Sequence, residues 1–339
     1  MKLRVGLIGL GDAWESRYRS ALRSLADRYE VRAVCEQVAH RAQQAAAEFG
    51  ATPVDGYRAL CAREDIDAVL MLAPQWYGWQ PILAASDAGK AIFCAAALDL
   101  DPMEARRIKV RVDEQGVAFM AGFAHRHNAA TLRLKELLAT QLGAPRLLFC
   151  HARRPARDPN SEVTQSRYQA AGVRDLMELV DWCCYVVGSE PTSVLGASHQ
   201  APSNIGGEDY EVISLDFSDP QRPGSGITAQ ISCGRYASSQ WPEAVTFRPP
   251  ADLQIACENG IAFVDLPSTL IWFDDAGRHR ESLDSERPVG EQLLVQFHRD
   301  ATSLVRSISS LEDAYRALSI VSAARTSDAD GRRVTLRSS

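Results

Sequence analysis

Gly9-Leu10-Gly11 follows the apolar run Leu3–Ile8 and opens a stretch with helical spacing. Two glycines in that place serve a phosphate. The first permits a tight turn, and the second lets backbone N–H groups approach a pyrophosphate at a helix N-terminus. Asp12, Ala13 and Trp14 complete the turn. Trp14 stands at the third fingerprint position, where Gly or Ala normally allows close helix–strand packing. Glu36 closes the second apolar run, in the region roughly 20 residues on where a carboxylate binds a ribose diol. Gln37 follows it in place of an arginine, so the local charge favours NAD over the 2′-phosphate of NADP.

A second set of polar residues lies further along. His125 and His127 flank Arg126, and in a strand both rings would point to one face, which suits a metal or a proton shuttle. No Cys, Asp or Glu at ligand spacing accompanies them, so no metal is expected. Arg174, Glu178 and Asp181 stand at i, i+4 and i+7 and share one helix face. That face is either an acid–base surface or a plain surface ion pair of Arg174 with Glu178. Trp76, Tyr77 and Trp79 form either an aromatic wall beside a nicotinamide or ordinary packing. Lysine is scarce, at Lys2, Lys90, Lys109 and Lys135 only, which limits the amines available to move a proton.

These residues need two kinds of scaffold. Up to about residue 121 the chain alternates short apolar runs (Leu3–Ile8, Val31–Cys35, Ala68–Leu72, Ala91–Cys94, Val117–Ala121) with helical patterns (Ala13–Ala26, Ala39–Phe49, Tyr57–Arg63, Trp79–Asp87, Pro102–Gln115). That alternation predicts a parallel sheet covered on both faces. After Gly122 a helix (Leu132–Thr140), a strand (Arg146–His151) and a polar loop (Arg153–Ser166) lead to a helix from about Val173 to Val187. Strands separated by Asp-Pro, Pro-Gly, Asn-Gly and Ala-Gly turns run from Ser193 to Phe273, the chemistry of an antiparallel meander. Two helices (Glu291–Ser307 and Leu311–Ser327) and a short strand (Arg333–Leu336) follow. The expected fold is α/β, a Rossmann-type domain over 1–122 and an α+β domain with an open, mainly antiparallel sheet over 123–339. The helix 311–327 is expected to pack back on the first domain.

Composition narrows the function. With 46% hydrophobic and 24% charged residues this is a globular chain, and a net charge of −6 argues against nucleic acid. Eight cysteines without a C-x-x-C, Cys183-Cys184 included, read as reduced core thiols of a cytoplasmic protein. The start, with Lys2, Arg4 and a short apolar run ending at Asp12, does not fit a signal peptide. No apolar run approaches the ~18 residues of a membrane span.

Several segments resemble the glucose–fructose oxidoreductase/inositol dehydrogenase (Gfo/Idh/MocA) family. They are Val5–Gly11, Asp67–Val69 through Ala73-Pro74, Ala88–Lys90, Gly122–His127, Ser310–Ala314 through Ala323–Ser327, and Asp330–Val334. The resemblance implies that Ala73, Pro74, Cys94 and Ala95 join Gly9, Gly11, Asp12, Ala13, Trp14 and Glu36 at the cofactor. It implies a sugar- or polyol-like substrate, with Arg126 and Asp181 as substrate residues and a homo-dimer or homo-tetramer formed through the second domain's sheet.

The reacting groups depart from the family pattern. Its Glu-Lys-Pro motif is Ala95-Ala96-Ala97 here, with Ala96 at the lysine position. Its Asp-x-x-x-His pair becomes Arg174 and Glu178, the candidate catalytic residues. Three functions stay open: an NAD-dependent oxidoreductase in which Glu178 or a histidine handles the proton, a degenerate relative acting as sensor, partner subunit or scaffold, and a non-redox enzyme performing elimination or hydrolysis.

Overall fold

The computed structural model describes residues 2–11, 13–73, 77–95, 101–156, 165–200, 209–237, 241–283, 287–303 and 309–336. Asp12, Pro74, Trp76, Ala96 and Ala97 therefore lie outside the described residues, as does most of the expected polar loop. The chain divides into two compact units, Met1–Ala124 with Glu286–Leu318, and His125–Ser285 with Ser319–Ser339. Among the described residues no helix is long and apolar enough to cross a membrane.

The first unit is built on a parallel sheet of β1 (Leu3–Ile8), β2 (Tyr29–Cys35), β3 (Thr52–Pro53), β4 (Ala68–Met71), β5 (Ala91–Cys94) and β6 (Phe119–Ala121). Its order is β3-β2-β1-β4-β5-β6. The direction of winding reverses between β1 and β4, and at such a switch point the strand ends open a crevice. The strands are short apolar runs because helices cover both faces, and every residue of β4 is buried. Turn chemistry sets the helix limits. Asp101 accepts a hydrogen bond from the Met103 N–H at 2.7 Å, Pro102 starts the helix Pro102–Gln115, and Gly116 ends it in the left-handed conformation. The helix Val289–Thr302 completes the unit. Its Leu293, Leu294 and Phe297 are fully buried, Phe297 packs on Phe93, and Tyr29 Oη donates to the Leu294 carbonyl at 2.6 Å.

The second unit carries a mixed sheet in the order β14-β13-β12-β11-β7-β10-β9-β8-β15. The strands are β7 (Pro145–Pro155), β8 (Ser193–Gln200), β9 (Asp209–Asp216), β10 (Thr228–Ala237), β11 (Leu253–Cys257), β12 (Ile261–Asp265), β13 (Thr269–Asp274), β14 (Gly277–Ser282) and β15 (Val334–Thr335). Neighbours are antiparallel except β7 and β10, which run parallel. The helix Gln165–Val187 packs on one face, with Leu176, Val180 and Trp182 buried. The other face shows a row set by register, Ile271–Phe263–Gln254–Phe149–Gln230–Ser214–Leu195.

Candidate active site

The glycine turn leaves β1 as the sequence anticipates. Gly9 and Gly11 have φ of +62° and +64°, a region costly for residues with a side chain. Space forbids one as well: a Cβ on Gly9 would lie 2.8 Å from the Ala73 carbonyl oxygen, and one on Gly11 2.7 Å from the Ala73 methyl. The Gly9 N–H is tied to the Cys35 carbonyl at 2.8 Å, which fixes the turn against the end of β2. Glu36 is nearly buried beside it, and its Oε2 accepts from the Leu10 N–H at 2.7 Å. A carboxylate is thus held at the rim of a backbone cradle, the pairing that receives a ribose and a pyrophosphate. These residues fit a dinucleotide.

Sequence reasoning passed over Arg41, whose Nη2 donates to the Gly11 carbonyl at 3.0 Å. Its only signal is a place on the helix that follows Glu36. Ala95 at the end of β5 is equally confined, since a Cβ on Gly122 would come 3.0 Å from its Cα. Cys94 beside it is buried. Tyr77 lies edge-on to Tyr57, and its Oη accepts from Cys35 Sγ at 3.6 Å, so this member of the aromatic trio packs at the end of β2.

Trp14 sits where the fold needs an explanation. Its side chain is 3% exposed, packed within the first unit's core and edge-on to Phe49 at 5.9 Å. The helix opens on a π-turn, Trp14–Tyr18, wider than an α-turn, and that width accommodates an indole where a small residue is usual. The indole's bulk is taken up by the core. Trp14→Ala is therefore expected to leave a cavity and cost ~3–5 kcal/mol of stability in urea unfolding. A variant as stable as its parent would contradict this placement.

In the second unit the helix Gln165–Val187 presents Arg174, Glu178, Asp181 and Tyr185 on one face. His125–His127 form a single 3₁₀ turn, so the strand geometry that would point both rings to one face does not apply. At about 120° per residue the two rings diverge. His125 turns to the helix, its Nδ1 lying 2.7 Å from Glu178 Oε1, and its ring packs against Trp182 at 5.0 Å. The carboxylate is off the line of a ring N–H hydrogen bond, so this is a close polar contact. His127 is half-buried, and desolvation, with Arg126 nearby, lowers its pKa to about 4.

Arg126 reaches Asp181 through two hydrogen bonds, Nε to Oδ2 at 2.5 Å and Nη2 to Oδ1, and its guanidinium lies over the Tyr185 ring. Asp181 is 3% exposed, with both oxygens held by Arg126, so it fixes that guanidinium in place. Of the two readings open for this face, the ion pair of Arg174 with Glu178 is not seen among the described residues, and Glu178 lies against His125. Sequence reasoning also missed a buried arginine. Arg235 is 6% exposed and donates to Asp175 Oδ2 at 2.6 Å, with Arg154 Nε 3.7 Å from the same oxygen. Its signal was alternation, since Ala229, Ile231, Cys233 and Arg235 all point inward from β10.

No described lysine takes the place of Ala96. Lys90 donates to the Ile66 carbonyl, Lys109 bridges Asp113 and Glu312, and Lys135 caps the carbonyls of Tyr185 and Val186. Lys2 precedes β1.

A parallel sheet that reverses beside a glycine turn is the arrangement of a dinucleotide-binding Rossmann fold. Residues 3–123 match the model described as the oxidoreductase family, NAD-binding Rossmann fold. It is 33% identical over 139 residues, 40% of this chain and 41% of the relative, to a dTDP-3,4-didehydro-2,6-dideoxy-alpha-D-glucose 3-reductase of Actinomadura kijaniata. It is 32% identical over 162 residues, 46% of each chain, to inositol 2-dehydrogenase 3 of Saccharopolyspora erythraea. These alignments span under half of those curated relatives. A solved levoglucosan dehydrogenase, in complex with NADH and levoglucosan, covers 100% of both chains with a TM-score of 0.83 at 18% identity, a likeness of fold.

Proposed function

We propose that this protein is an NAD-dependent oxidoreductase acting on a hydroxyl or carbonyl of a sugar- or polyol-like substrate. The observation that carries the reading is the contact of His125 with Glu178, together with the glycine cradle of the first unit. When bound, the nicotinamide accepts or donates the hydride. Gly9, Gly11, Ala73 and Glu36 hold the cofactor. His125 then takes the hydroxyl proton in the oxidative direction and returns it in the reductive one, in place of the family's lysine. Glu178 orients the ring through its contact with Nδ1.

NAD is preferred over NADP because the Glu36 carboxylate repels a 2′-phosphate, and Arg41 is committed to the Gly11 carbonyl. Calorimetric titration with both cofactors is expected to show tighter NAD binding, and tighter NADP binding would overturn the preference. The exposed face of the second sheet supports a homo-dimer or homo-tetramer. Leu147, Phe149, Leu195 and Phe273 are each 40–45% exposed on it, and exposed apolar surface of this kind marks an interface. Sedimentation equilibrium tests this, and a monomer at micromolar concentration would rule it out.

A further inference from the structure

The face of the helix Gln165–Val187 is a ladder in which successive polar rungs are matched from neighbouring elements. Tyr185 lies under the cations of Arg126 and Lys135, at 5.4 and 5.5 Å from its ring centre. Asp181 is matched by Arg126 and Glu178 by His125. Arg174 is the next rung, half-buried, and among the described residues it has neither an ion pair nor a hydrogen bond. The nearest acidic side chains along the helix are already engaged. Glu178 lies one turn on, but an arginine placed N-terminal to a glutamate at i, i+4 is the weaker orientation, and His125 holds that carboxylate. Asp175, the next residue, is held by Arg235 and Arg154.

A guanidinium that has given up part of its hydration with no acceptor in return is costly unless something else supplies the acceptor. Its planar fork of donors matches a carboxylate with two parallel hydrogen bonds. Four helical residues, about 6 Å of rise, separate Arg174 from the rung that holds His125, a distance a short carbon chain spans. We propose that Arg174 binds a carboxylate of the substrate, so that the substrate is a sugar acid or polyol acid. The inference rests on the preceding reading that this helix face meets a sugar-like molecule.

The test uses matched probes: D-glucuronate against D-glucose, and D-gluconate against D-glucitol, with glucose 6-phosphate as the phosphate arm. Each is titrated calorimetrically into the full protein and into Arg174→Gln and Arg174→Lys, and each is assayed for NAD reduction. The acid of at least one pair should bind the parent about tenfold or more tighter than its neutral partner. Arg174→Gln should erase that preference, a loss of about 10- to 100-fold for the acid, while NADH affinity is unchanged. Arg174→Lys should retain part of it.

Equal binding of acids and neutral partners, an acid affinity untouched in Arg174→Gln, or a preference for the phosphate alone would overturn the proposal. The two readings fail separately. Reduction of NAD by a neutral polyol with no acid preference leaves the oxidoreductase and removes the carboxylate. Acid binding that depends on Arg174 without NAD reduction by any probe does the reverse.

Discussion

Replacing His125 by Gln should lower kcat by about 10²- to 10⁴-fold, the usual loss when a positioned acid–base group is removed. NADH affinity should stay at the parent value, since the cradle is built from Gly9, Gly11, Ala73 and Glu36. Glu178→Gln tests the positioning role. It keeps the shape of the side chain and removes the charge beside Nδ1, so kcat should fall more than KM rises. The solvent deuterium isotope effect on kcat should grow as proton transfer becomes limiting. Glu178→Asp should recover part of the loss. A packing role predicts instead that Gln, which fills the same volume, behaves like the parent and leaves the isotope effect unmoved.

The second large effect is on stability. Asp181→Ala should cost ~3–5 kcal/mol in urea unfolding, because it removes the carboxylate that the mostly buried guanidinium of Arg126 is paired with. The asymmetry between breaking and replacing the pair makes the claim specific. Arg126→Met combined with Asp181→Leu should recover most of that stability, since two apolar side chains need no partner. Arg126→Met alone should be nearly as harmful as Asp181→Ala. If Asp181→Ala unfolds at the parent's midpoint, water has access to Arg126 and the pair is a surface feature.

The parallel sheet was legible because strands buried on both faces read as bare apolar runs between Gly, Pro and Asp. Where an element owes its place to pairing, the pattern was silent. β3 is two exposed residues, and β14 reads Gly-Arg-His-Arg-Glu-Ser with no apolar residue to mark it, as suits an edge. β7 runs on to Pro155 through Arg153 and Arg154, which read as loop. Arg153 is satisfied there by the Ala244 and Phe247 carbonyls and Tyr236 Oη, partners some ninety residues away in sequence. The same division holds at the site. Helical spacing put Arg174, Glu178 and Asp181 on one face. Which cation met which carboxylate was decided by the 3₁₀ turn at His125–His127, and no local pattern encodes that turn.

The central claim is that hydride leaves or reaches the carbon that bears a hydroxyl, while this chain's own acceptor takes or returns the hydroxyl proton. The most direct measurement is NAD reduction by the purified protein on a panel of polyols and sugar acids, with product identified by mass spectrometry and cofactor binding measured on the same preparation. The account predicts one NADH formed for each hydroxyl oxidised with at least one member, at a rate about 10²- to 10⁴-fold lower in His125→Gln. Tight NADH binding with no reduction of NAD by any member would contradict it.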